Sequence, residues 1–133
     1  MNAPGRNFIK YPSIFGIVFG TFDFVLGING IILILLAAYN SATLPMPVDL
    51  ANISSWHIIS ILHGAFRIFM GIMGIAYCDK IVKAKILIVI AIIDLVLILF
   101  PPLVVFTFRF YTPIYAPIPI LYLIGAVKNK KMR

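Results

Sequence analysis

Asp23, Arg67 and Asp94 are two acids and a base set inside runs of residues that are otherwise almost wholly apolar. Ionisable groups are expensive in hydrocarbon, so each needs a partner or a task there. Asp23 lies in a row with Gly16, Gly20, Gly27 and Gly30, at steps of four and three that place all of them on one helix face. Arg67 repeats the pattern with Gly64, Gly71 and Gly74. An acid and a base, each centred in a smooth stripe, predict the two sides of one buried contact, an Asp23–Arg67 ion pair. Asp94 is then the surplus acid. It either joins the guanidinium fork of Arg67 as a third partner or titrates.

Other polar groups in the apolar runs are sparse. His63 points about a quarter turn off the glycine stripe and reads as a hydrogen-bonded packing residue, while Trp56 and His57 fall at the outer interface. Asn29 lies on a different face from Asp23, available to another helix or a partner subunit. No nucleophile, histidine and acid set, glycine-rich phosphate loop or HExxH pattern occurs, and the loops are too short to build an aqueous site. The expectation is a non-enzyme. The single cysteine, Cys78, excludes an internal disulfide, and no Cys/His cluster has zinc spacing, so neither a metal nor a cofactor is expected.

The elements that position these residues follow from composition. The chain has 133 residues, of which 62% are hydrophobic and 11% charged, and a soluble domain carries roughly twice that charge. With a mean hydropathy of +1.10 this predicts an integral, multi-pass membrane protein. Four apolar segments, about 11–39, 55–77, 86–108 and 112–127, predict an all-α membrane protein, a four transmembrane helix bundle forming a single domain. Residues 40–54, with Pro45, Pro47 and Asp49, read as a polar loop. Cys78 to Lys85 is a brief connection, and Arg109 to Tyr111 a tight turn.

Orientation follows from basic residues. With N and C termini both cytoplasmic, that side holds Arg6, Lys10, Lys80, Lys83, Lys85, Lys128, Lys130, Lys131 and Arg133 against Asp79, while Arg109 and Asp49 cancel on the other. The net charge of +7 is therefore topological, and no nucleic-acid partner is expected. Pro101 and Pro102 in the third span, and Pro113, Pro117 and Pro119 at the start of the fourth, predict kinks. Tyr111, Tyr115 and Tyr122 share one face of the fourth span, where they reach freed carbonyls or form an interfacial belt.

Counted from the cytoplasmic ends at about 1.5 Å per residue, Asp23, Arg67 and Asp94 all fall in one layer near the bilayer midplane. The expected register sets Gly16 and Gly20 opposite Gly74 and Gly71, with Gly27 near Gly64. Spans one and two then form a tight hairpin, because close backbone approach is how helices associate in lipid.

Three local signals complete the reading. Asn52-Ile53-Ser54 is a formal glycosylation sequon in the outer loop. Cys78 is a candidate for palmitoylation, or simply a small boundary residue. Lys130 and Lys131 resemble a dilysine retrieval signal. The layout is similar to that of small tetraspan proteins in general, but the first-loop cysteine pair of claudin-like proteins is lacking. The acid of the first helix in small multidrug transporters is matched by Asp23, here facing a basic span foreign to a cation exporter.

The functional expectation is an accessory or structural subunit of a larger membrane protein complex. Its partners would be the lipid bilayer and another integral membrane protein, with no soluble small-molecule substrate. Phe15, Phe19, Phe22, Phe66, Phe69, Phe106 and Phe108 would face one or the other. The alternative is a small oligomeric proton-coupled carrier using Asp94. The expected location is the endoplasmic reticulum and secretory pathway or the plasma membrane, if the cell is eukaryotic.

Overall fold

The chain is all-helical in a computed structural model that describes residues 3–40, 50–105 and 115–131. Among these are four α-helices: α1 (Arg6–Asn40), α2 (Leu50–Tyr77), α3 (Ala84–Val105) and α4 (Pro117–Lys131). A 3-10 turn, Ile81–Lys83, tightens the link between α2 and α3, with Lys83 N donating to Lys80 O at 2.9 Å. Among the described residues two helices, within Arg6–Tyr39 and Trp56–Tyr77, are long and apolar enough to cross a membrane. Each helix packs on its neighbours in sequence, and α4 returns to α1, closing a ring.

Burial along α1 is inverted relative to a helix of a water-soluble bundle. The inward positions of α1 are Ile9, Pro12, Ser13, Gly16, Gly20, Asp23, Gly27 and Gly30, whereas Phe15, Val18, Phe22, Leu33 and Leu35 are more than half exposed. Helices that meet in lipid gain nothing from apolar burial and associate through small residues and polar contacts. The larger buried side chains, Met70, Leu87, Ile90, Ile98, Ile118 and Tyr122, fill the wider space where α3 and α4 join the hairpin.

The α1–α2 seam is antiparallel, but its register differs from expectation by about one turn. A Cβ on Gly20 would stand 2.8 Å from Gly64 O, and one on Gly64 would stand 2.6 Å from Gly20 O and Phe24 N. Gly27 faces Ile61 and His57, Gly71 faces Ser13 and Ile17, and Gly16 faces Met70. Gly20 thus meets Gly64, not Gly71. The reason lies in side-chain direction: Cβ bonds tilt toward each helix's N-terminus, so in an antiparallel pair two long side chains meet only when their Cα atoms are offset along the axis. The offset set by Gly20 and Gly64 lets Arg67 and Asp23 lean toward one another.

Several boundaries also move. Helix α1 begins before residue 11 and α2 begins at Leu50, so Asn52-Ile53-Ser54 lies in the first turns of a helix and not in the outer loop. Helix α3 continues through Pro101 and Pro102 to Val105 without interruption. Pro117 and Pro119 open α4, in the first turn where a missing N–H leaves no bond unmade, so they start the helix instead of kinking it. Its end moves from 127 to Lys131, with Lys128, Lys130 and Lys131 in the last turn, where cations suit the negative end of the helix dipole. Pro45, Pro47, Asp49, Phe106, Phe108, the Arg109–Tyr111 turn, Pro113 and Arg133 lie outside the described residues.

Candidate functional site

Helix α2 carries the centre of the site, because His63 and Arg67, four residues apart, lie one above the other on a single face. That face looks across the ring to Asp23 of α1 and Asp94 of α3. Asp94 sits in the inward stripe of α3, with Leu87, Ile90 and Ala91 before it and Ile98 after it. Tyr115, just ahead of α4, closes the remaining side.

The three charges of the sequence meet in one cluster, and Arg67 stands between the acids. Its Nη1 lies 3.7 Å from Asp23 Oδ2 and its Nε 3.6 Å from Asp94 Oδ1. Arg67 and Asp94 are both fully buried, and the Asp23 side chain nearly so. These separations are ionic contacts, longer than hydrogen bonds. The Tyr115 hydroxyl donates to Asp23 Oδ1 at 3.0 Å, and its ring lies under the guanidinium, 4.0 Å from Arg67 Cζ. Phe19 holds that ring edge-on at 5.4 Å. Ser60 Oγ donates to the Asp23 backbone carbonyl at 3.1 Å, tying the two helices beside the charges.

Two members were not expected there. His63 Nε2 approaches Asp94 Oδ1 to 3.5 Å, the same oxygen that faces Arg67, so His63 belongs to the charge cluster and is more than a packing residue. The signal in the sequence was the four-residue step from His63 to Arg67, which outweighs the quarter turn from Gly64. Tyr115 reaches a carboxylate in place of a freed backbone carbonyl. Tyr122 does bind a carbonyl, Met70 O at 3.4 Å, although it belongs to α2 and is unrelated to any proline. Tyr111 lies outside the described residues.

A second buried polar node joins the ends near both termini. Asn129, fully buried, donates to Cys78 O at 3.0 Å and accepts from Gly5 N at 2.7 Å. Arg6 and Asp79 pair beside it at 3.3 Å. Gly5 and Gly125 pack so closely that a Cβ on Gly125 would lie 2.8 Å from Gly5 O. Sequence reasoning missed Asn129, because a lone asparagine among lysines reads as solvated. The Cys78 thiol donates to Ile75 O at 3.3 Å and is buried, 5% exposed. Its burial, and then the negative charge of Asp79, push the thiol above its ordinary pKa of 9.0.

The remaining expected sites are dispersed. Asn29 is exposed on the side of α1 away from the glycines, and Lys130 and Lys131 are exposed on α4. Among the described residues, no group of three or more His, Cys, Asp and Glu is placed to hold a metal ion. A groove of about 280 Å³ between α1 and α4 is lined by Tyr11, Pro12, Phe15, Phe19, Pro117, Ile118 and Leu121, without a charged group.

No protein family, curated protein or solved structure matches this chain. Its chemistry is that of the cluster itself: a guanidinium clasp between three helices, with one carboxylate more than the arginine can neutralise.

Proposed function

We propose that this chain is a four-span integral membrane protein, with both termini cytoplasmic, that serves as a non-enzymatic accessory or structural subunit of a larger membrane assembly. The observation that carries the reading is the burial in the α1–α2 hairpin: glycine, serine and charge line its inner face, while Phe15, Phe22, Leu33, Leu35, Leu62 and Phe69 are exposed. Such a surface belongs against lipid or another membrane protein. The basic residues gathered near the termini and the α2–α3 link supply the orientation. The buried charges then fix which helices pair and in what register, a well-attested use of polar groups in a core.

One face of α1 fits a partner helix. Phe15, Phe22, Leu26, Leu33 and Leu36 are exposed along it, and Asn29 lies in the same stripe. An amide facing hydrocarbon has no lipid group to bond, so a helix with its own polar group is the natural contact. Purification in mild detergent, followed by mass spectrometry of the co-eluting chains, tests this. A fixed, larger companion that is lost from Asn29→Leu is expected; recovery of this chain alone in both variants refutes it. Accessibility of tags at the two termini tests the orientation, and tags on opposite sides refute four spans.

A second reading, a proton-coupled carrier, is favoured by one observation, the contact of His63 with Asp94. It requires pH-dependent solute flux from the pure protein in liposomes.

A further inference from the structure

The cluster sets two carboxyl groups against one guanidinium. Arg67 brings one positive charge, Asp23 and Asp94 two negative ones, and the group is largely enclosed, with side-chain exposures of 0% at Arg67 and Asp94 and 12% at Asp23. An uncompensated charge at this depth is unfavourable, and in membrane helices it is met by pairing or by neutralisation. The titratable neighbours among the described residues can be named. Helix α1 contributes Asp23; α2 contributes His63 and Arg67; α3 contributes Asp94; the segment entering α4 contributes Tyr115, and α4 itself Tyr122, whose hydroxyl is spent on Met70 O.

Asp23 is already well served. It faces Arg67 Nη1 and accepts from the Tyr115 hydroxyl. Asp94 has no such hydroxyl: its Oδ1 faces Arg67 Nε at 3.6 Å and His63 Nε2 at 3.5 Å. Among the described residues, neither carboxylate oxygen of Asp94, nor His63 Nε2, has a hydrogen-bond partner. The excess charge therefore rests at Asp94, next to a base able to carry a proton.

We propose that His63 and Asp94 form a proton-binding site that holds one exchangeable proton and brings the cluster to zero net charge. The proton has two seats. On His63 Nε2 it makes an imidazolium facing an aspartate; on Asp94 it makes a carboxylic acid facing a neutral imidazole, and passing between them changes no total charge. Of the two seats His63 is the less enclosed, its side chain 19% exposed while that of Asp94 is 0%. The site rests on the membrane placement of the bundle, not on the accessory role, and would serve a subunit or a carrier equally.

The test is spectroscopic and uses the full chain in detergent micelles. Carboxyl-labelled aspartate and ring-labelled histidine give four and two sites respectively, since the chain has four acids, all aspartate, and two histidines. At neutral pH either a protonated Asp94 carboxyl or a His63 imidazolium is expected. In Asp94→Asn, where Arg67 and Asp23 balance, His63 should be neutral and the protein should bind one proton fewer. An ionised Asp94 beside a neutral His63 in the wild type at neutral pH overturns the proposal. That result needs no variant, so failure of Asp94→Asn to fold leaves the test intact. The membrane placement is checked separately by the terminal tags.

Discussion

Gly16 and Gly64 look alike in the sequence, yet replacing each with alanine should have different consequences. At Gly64 the new Cβ would lie 2.6 Å from the Gly20 carbonyl and 2.6 Å from Phe24 N, both backbone atoms that cannot rotate aside. Ordinary contact begins near 3.4 Å, so α1 and α2 must separate by about 0.8 Å there. A gap of that size forfeits roughly a quarter to a half of the dispersion energy between facing atoms. Overpacking of a tight seam costs about 1–3 kcal/mol, or roughly five- to 150-fold in the folded-to-unfolded ratio. At Gly16 the new Cβ would meet the flexible end of Met70 at 3.4 Å and Arg67 O at 3.6 Å, which is normal contact. Gly16→Ala should therefore change stability by no more than about 0.5 kcal/mol, or raise it slightly through helix propensity. The assay is reversible unfolding in mixed micelles of increasing denaturing detergent, followed by circular dichroism and by the fluorescence of Trp56. Equal losses for both variants, or a larger loss for Gly16→Ala, would refute the Gly20–Gly64 register.

Three further perturbations address the charges and the thiol. Arg67→Met leaves two buried carboxylates without their cation and should destabilise by about 3–5 kcal/mol, whereas adding Asp23→Asn and Asp94→Asn should recover most of that loss in the same unfolding assay. Tyr115→Phe removes the 3.0 Å bond to Asp23 but keeps the ring under Arg67, so a loss of about 1–3 kcal/mol is expected; Tyr115→Leu should lose more. Because burial raises the Cys78 thiol above 9.0, maleimide should label it slowly in mild detergent and rapidly after denaturation. The same shift has a defined sign for stability. Its contribution is whole below about pH 9 and is lost as pH climbs through the raised folded value, since the unfolded thiol ionises first. Comparison of the alkaline unfolding limbs of the wild type and Cys78→Ser measures it.

Much of the site could be read in advance where one side of a helix differs from the rest. The glycine rows marked the inward faces of α1 and α2 because only small residues allow close backbone approach. Helix α3 offered no such contrast. It is apolar all round, so its inward stripe of Leu87, Ile90, Ala91, Asp94 and Ile98 could not be told from its outer face. Tyr115 and Asn129 were hidden for another reason. Their partners, Asp23 and Gly5, lie 92 and 124 residues away, and no local period reports a contact across that distance.

The sequence by itself determined that Asp23, Arg67 and Asp94 share a depth, since helical rise converts residue number into distance along the axis. It also determined which faces of α1 and α2 are glycine-lined. Only the tertiary structure decided the offset of the two stripes, the entry of His63 and Tyr115, and the division of Arg67 between two acids. Those depend on where a tilted side chain ends once two backbones touch, and that is a property of the packed pair rather than of either helix.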